Sequence, residues 1–395
     1  MPYYLNPRAA RRDYDAALRE ILSLDAARAA RTLLAGWNAL TPHPAPLVAL
    51  PALAATLGVA ALDVKDESAR STLGSFKALG APHALLRLIE RRLAPRRVAA
   101  AELLAGAAAD ALRDLVAISA TDGNHGRAVA WAARRLGQRA VIFVPGNTVA
   151  ARIEAIQGEG AEVVVVPGSY DETVRRAAAE AERNGWQVIS DTAYPGYTEI
   201  PGWIMEGYGT IFEEAARQLA ELGGAEPSLV LLQAGVGGLA CAGSLFYWWR
   251  GRRPTLVAVE PTDADCLLES AASPDGSIRE AKGRQDSIMA GLNCGTPSLL
   301  AWPLIRDGMD AFLAVDDDFA REAMRLLASG EGGDPAVVSG ESGAAGLAGL
   351  LALASEASLA EAREALGLRG ARVLLVSTEG ATDPPSWERI VGRRP

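Results

Sequence analysis

Residues 229–249 read L-V-L-L-Q-A-G-V-G-G-L-A-C-A-G-S-L-F-Y-W-W. Leu229–Gln233 is a short apolar run of strand length. Ala240–Trp249 has the length and composition of a helix, and Gly235-Val236-Gly237-Gly238-Leu239-Ala240 joins the two. Glycines at such a joint let the backbone approach an anion, and the start of the helix offers unpaired N–H groups and the positive end of its dipole. Three readings stand side by side. The loop is a phosphate cradle, or a dinucleotide-binding turn, or a place where helix and strand pack closely. The second draws on the literal G-x-G-x-x-A pattern and on Glu260, which ends the next strand where a ribose-binding acid belongs. All three make the segment a strand–turn–helix unit.

The same rhythm extends both ways. Upstream, apolar runs recur at Val116–Ser119, Ala140–Val144, Glu162–Val166 and Gln187–Ser190. Asn124–Leu136, closed by Gly137, carries Val129, Ala132, Ala133 and Leu136 at helical spacing. Downstream lie Leu256–Glu260, Phe312–Val315 and Val373–Ser377, separated by Ala- and Leu-rich helices. Strands alternating with helices mean an α/β fold, doubly wound, with mostly parallel sheets. Two series of strands imply two sheets, or one sheet with a large insertion. No repeat of 20–50 residues is visible. Residues 1–40 read as a partly helical arm, and the Pro-rich 41–51 as extended chain. A helix over Leu53–Leu57 capped by Gly58 follows, then a strand over Val59–Lys65.

The chain has 395 residues, with 39 Lys plus Arg against 48 Asp plus Glu and a net charge of −9. That balance, without blocks of one sign, argues against nucleic-acid or anionic-membrane partners. Three Cys and three His, with no C-x-x-C and no H-E-x-x-H, argue against a metal site. Reduced cysteines are expected, although Cys266 and Cys294 could meet in space. Met1–Leu24 is charged and lacks the apolar core of a secretory signal. The longest apolar stretch, Gly343–Ala354, is too short for a membrane span. A cytoplasmic location is expected.

Four further segments could carry chemistry. Lys77 sits in Ser75-Phe76-Lys77-Ala78-Leu79-Gly80. A lysine among apolar residues either snorkels to solvent or, if desolvated, becomes a Schiff-base nucleophile. Ser119-Ala120-Thr121-Asp122-Gly123-Asn124-His125-Gly126 joins a strand to a helix. Its backbone N–H groups suit a carboxylate, or Asp122 or Asn124 is simply an N-cap. His125 alone reads as a structural histidine. Ser339–Gly346 opens an apolar helix, and Ser377-Thr378-Glu379-Gly380 follows the last strand, where ligands of open α/β sheets bind.

The order and spacing of S-F-K, the G-N-H-G turn, the G-x-G-G-L loop and the final serine resemble the fold-type-II pyridoxal phosphate enzymes, the tryptophan synthase β-subunit class. The likeness runs from about Pro44 to Asp383. Within that class the chain resembles the diaminopropionate ammonia-lyases. The segments that carry this are K-D-E-S at 65–68, S-F-K-A-L-G at 75–80, A-T-D-G-N-H-G-R at 120–127, D-T-A-Y-P-G-Y-T-E-I-P at 191–201, M-A-G-L-N-C-G-T-P-S at 289–298 and S-T-E-G-A-T-D-P at 377–384.

The resemblance implies a small domain, residues 82–195, inserted into a large cofactor-binding one, residues 1–81 and 196–395, with the site in the cleft. It implies pyridoxal 5'-phosphate on Lys77 beside Phe76, its phosphate cradled by Gly235, Val236, Gly237, Gly238 and Leu239. Asn124 would face its phenolic oxygen, and Ser377, or else Thr378, its ring nitrogen. Ala120, Thr121, Asp122 and Gly123 would hold the substrate carboxylate, with Asp191, or second Glu199, on the Cβ ammonium of diaminopropionate. Lys77 would be the base on one face and Asp122 the base on the other, so that both D and L substrates are eliminated to pyruvate and ammonia. A homodimer is implied. A serine or threonine dehydratase, a NAD-dependent dehydrogenase and a non-catalytic amino-acid sensor are the alternatives.

Overall fold

Five parallel strands, all but the first dominated by apolar residues, form the middle of the larger sheet: β3 (Ala61–Asp66), β8 (Leu229–Gln233), β9 (Thr255–Pro261), β10 (Ala311–Val315) and β11 (Arg372–Ser377). Continuous apolar runs are what a parallel strand needs when helices cover both faces. Two three-residue strands close the edges antiparallel, β1 (Tyr3–Leu5) on β10 and β2 (Leu47–Ala49) on β3. The order is β1-β10-β9-β8-β11-β3-β2. The second sheet is wholly parallel, in the order β6-β5-β4-β7, from β4 (Val116–Ala120), β5 (Arg139–Pro145), β6 (Glu162–Val166) and β7 (Gln187–Val188). The α/β class and the two-sheet option hold. The two edge strands lay unread in the supposed arm and the Pro-rich stretch, and β7 is shorter than its apolar run.

This computed structural model describes residues 1–10, 12–40, 44–121, 123–168, 170–251 and 253–395. Asp122 therefore lies outside the described residues.

Strand alternation sorts the core into layers. Val230 and Leu232 of β8 share one cluster with Ala117 of β4 and Ile142 and Val144 of β5, so apolar packing is continuous between the sheets. Leu229 and Leu231 point the other way, into a second cluster with Leu347 and Leu351. The outer face of the smaller sheet has its own cluster, around Ile118 and Phe143. The helix Lys77–Leu93 runs through residue 82 without a break and crosses the long helix Glu199–Glu221. Glycine permits that crossing: a Cβ on Gly207 would stand 2.3 Å from the Leu79 carbonyl oxygen, and one on Gly80 2.7 Å from Ile204. The carboxyl ends of β3, β4, β8 and β11 all feed loops that line one cavity.

Candidate active site

The cavity, about 870 Å³ including its mouth, is reached from Lys77 outward. After β3 the chain makes a tight turn, Glu67–Arg70, which a buried charge cluster holds in place. Arg70 Nη2 lies 2.8 Å from Glu67 Oε1 and 2.6 Å from Glu214 Oε2, and Lys65 Nζ lies 2.8 Å from the same Glu214 oxygen. Two cations and two anions shielded from water in this way are mutually compensated; removing any one leaves a buried charge unpaired. The chain is then laced to the end of β11. Phe76 N–H donates to Thr378 O and Gly380 N–H to Gly74 O, both at 2.9 Å. Lys77 follows as the first residue of its helix.

Lys77 does not snorkel. Its side chain is 18% exposed, and Nζ sits 2.5 Å from Asp191 Oδ2, 5.0 Å from the Phe76 ring centre and 5.6 Å from that of Tyr208. Burial disfavours its charged form, but the Asp191 carboxylate outweighs burial and holds the amine above its ordinary pKa. Burial pushes the Asp191 carboxyl up, while His125 and Lys77 together pull it below its ordinary value. His125 Nε2 donates to the Ile189 carbonyl at 3.0 Å, which leaves Nδ1 3.7 Å from Asp191. Burial lowers the His125 pKa. Glu199, by contrast, is exposed and paired with Arg91, away from the cavity.

Opposite stands the glycine loop. Gly237 has φ +96°, and a Cβ there would meet Ile305 Cδ1 at 2.3 Å; a Cβ on Gly235 would meet Cys294 Sγ at 2.7 Å. The helix starts at Gly238, two residues earlier than its composition suggested, so its first-turn N–H groups lie beside the cradle. Gly235, Val236, Gly237, Gly238 and Leu239 all line the cavity. Cys266 Sγ faces the Gly235 carbonyl at 3.7 Å, and Cys266 and Cys294 are not joined in a disulfide. Glu260 is fully buried and accepts the N–H groups of Leu267 and Leu268 at 2.7 and 2.8 Å. Both its oxygens are committed to the start of a helix and it does not line the cavity, which removes the ribose-binding role and with it the dehydrogenase reading.

Ala120, Thr121 and Asn124 line the wall between. Thr121 Oγ1 shapes the turn by accepting Gly123 N–H at 3.0 Å and Gly126 N–H at 3.2 Å. Gly123 lies beside Arg152 at the rim. Asn124 Nδ2 donates to Glu379 Oε2. At the end of β11 Thr378 lines the cavity, whereas the Ser377 hydroxyl is bonded to Ser339 Oγ at 2.8 Å. Gln233 Nε2 lies 3.1 Å from Thr378 Oγ1, leaving the threonine's own hydrogen free to donate. Tyr208 and Gln233 also line the site and were not anticipated; Ser342 and Glu379 line it too, each inside a segment singled out from the sequence but without a role of its own there. Tyr208, spaced with Met205 and Phe212 along a helix, reads only as core.

A flat anionic cofactor fits these walls: a cradle that side chains would fill at one end, a desolvated lysine beside it, and a hydroxyl at the end of β11. The chain belongs to the pyridoxal-phosphate dependent enzymes, whose family model matches residues 39–379. Among curated proteins it is similar to the diaminopropionate ammonia-lyase of Escherichia coli strain K12, 39% identical over 353 residues, 88% of this chain and 87% of that one. A crystal structure of the Escherichia coli lyase with an aminoacrylate-PLP azomethine reaction intermediate superposes with a TM-score of 0.86 at 36% identity, covering 99% and 96% of the two chains. The same lyase in complex with D-serine gives 0.87 at 35%, with the same coverage.

Proposed function

We propose that the chain catalyses pyridoxal phosphate-dependent α,β-elimination of 2,3-diaminopropionate, D and L, with water, to pyruvate and two ammonia. The observation that carries the reading is the buried Lys77–Asp191 pair facing the glycine cradle, in a chain so similar to diaminopropionate ammonia-lyase. Bound there, pyridoxal phosphate supplies an electron sink that acidifies the Cα–H of an attached amino acid. Everything else falls to the protein. The N–H groups of Gly235–Leu239 hold the phosphate. Thr378 offers a neutral hydroxyl to the ring nitrogen, which suits elimination, where electrons leave through Cβ and need not be stored in the ring. Asn124 faces the phenolic oxygen, and the backbone of 120–123 takes the substrate carboxylate.

Lys77 anchors the cofactor and, once displaced by substrate, is the base on its own face. Its departure frees Asp191 for the substrate's Cβ ammonium, an anion that serine or threonine would not use. Asp122, placed by sequence between two residues of the carboxylate turn, is the base for the opposite enantiomer. A cytoplasmic homodimer completes the proposal; sedimentation and cell fractionation test it. The deciding experiment offers both diaminopropionate enantiomers, serine and threonine, and assays keto acid and ammonia together. Two ammonia per pyruvate from both enantiomers is expected. Turnover of serine and threonine alone, at one ammonia per keto acid, makes the chain a dehydratase instead.

A further inference from the structure

Glu379 is 3% exposed, yet its carboxylate is built into the site from both sides of the cleft. Oε1 accepts the Ser342 N–H at 3.1 Å and Oε2 the Thr382 hydroxyl at 3.0 Å, which ties it to the larger-sheet side. Its remaining partner, Asn124 Nδ2, opens the helix that follows β4 of the smaller sheet. Both residues line the cavity. An asparagine amide can present either its oxygen or its nitrogen, and only the neighbours decide. A carboxylate that accepts at both oxygens decides it here.

We propose that Glu379 is a positioning residue: it holds the Asn124 amide nitrogen-inward, so that one N–H is committed to the carboxylate and the other is left for the cofactor's phenolic oxygen. This rests on the reading of Asn124 above. The isosteric change Glu379→Gln exposes the logic. Glutamine must meet donors at both ends, Ser342 N–H on one side and Asn124 Nδ2 on the other. Whichever way it turns, a donor faces a donor, and the relief is for Asn124 to flip its oxygen toward the cofactor.

The test uses holoenzymes of Glu379→Gln, Asn124→Ala and the double variant, read by the absorption bands of the Lys77 Schiff base and by cofactor titration after dialysis. Glu379→Gln is expected to move absorption toward the short-wavelength band and to weaken cofactor retention about tenfold, the scale of one hydrogen bond to a charged group. In the Asn124→Ala background it adds nothing, because it acts through Asn124. Equal spectral effects of Glu379→Gln in both backgrounds overturn the proposal. So does an unchanged Glu379→Gln spectrum beside a shifted Asn124→Ala one, and in that case the cofactor role of Asn124 stands. If Asn124→Ala leaves the spectrum unmoved, the reading beneath fails and takes this one with it. Should Glu379→Gln not fold, Thr382→Val removes one anchor of the same carboxylate and gives a smaller shift of the same sign; no shift there also overturns the proposal.

Discussion

Gly237→Ala adds one methyl group at the cradle, and its cost can be worked from the geometry. The residue holds φ +96°, and an L side chain on the left-handed side of the backbone costs roughly 1–2 kcal/mol. The new Cβ would stand 2.3 Å from Ile305 Cδ1, with Leu267 Cδ2 at 3.6 Å and Ala301 Cβ at 3.8 Å closing the retreat. Ile305 is fully buried, so the clash is an overpacking of roughly 1–3 kcal/mol. The loop escapes both terms by rotating, and rotation turns its N–H groups off the phosphate. Each charge-assisted bond lost is worth roughly 1.5–3 kcal/mol, so pyridoxal phosphate should bind about 10- to 100-fold more weakly. Titration of dialysed protein measures this, with the melting temperature of the cofactor-free protein as a control for folding. Ile305→Val deletes Cδ1 and separates the two terms; combined with Gly237→Ala, it should restore only part of the affinity, because the backbone term survives. A folded Gly237→Ala protein with wild-type cofactor affinity would refute the placement of the phosphate.

Lys77→Ala should lack the Schiff-base absorption band after reconstitution and lose nearly all turnover; a variant that keeps the band or the activity, or a wild type that needs NAD, removes Lys77 from its role. Asp191→Ala should raise the diaminopropionate KM about tenfold or more while sparing serine, and equal changes for both substrates dismiss the ammonium contact. The Asp191 carboxyl is held below its unfolded pKa of about 3.9, so its stabilisation is complete above that pH and is lost as pH falls through the lower folded value. The melting-temperature gap between cofactor-free wild type and Asp191→Asn should accordingly be level above about pH 5 and narrow below about pH 4; a gap that widens on acidification contradicts the ion pair. Asp122→Asn should cost the D substrate about 100-fold and keep much of the L activity, whereas an N-cap tolerates asparagine and keeps both.

What the sequence disclosed, and what it withheld, follows from range. The parallel strands were legible because burial on both faces forces continuous apolar runs. The edge strands Tyr3–Leu5 and Leu47–Ala49 were not, since three residues carry no period and their pairing depends on partners far away in the chain. Lys77, Asn124 and the glycine loop stood out as candidates because each sits in a local pattern, and the structure brings them to one cavity. Ser377 and Thr378 were confused by a single step of strand parity. Leu374 and Val376 face the layer between the sheets and Val373 and Leu375 the opposite one, so position 378 inherits the cavity side and 377 does not. Tyr208 and Gln233 are lone residues whose partners in the site, Phe76 and Thr378 among them, lie more than 100 positions away, and no local pattern announces them.

The lacing of residues 74–76 to residues 378–380 has a consequence for the order of events in biosynthesis. Strand Arg372–Ser377 is made after every other strand of this sheet, yet it lies inside the sheet, between β8 and β3. A nascent chain that stops short of residue 372 possesses the glycine loop, the smaller sheet and Lys77 itself. It lacks the strand that joins the two halves of the large sheet, and with it the two backbone bonds that fix where Lys77 stands. Cofactor capture therefore waits for this strand, and a chain cut just before residue 372 should read out as loss of the cofactor site before any loss of the smaller sheet.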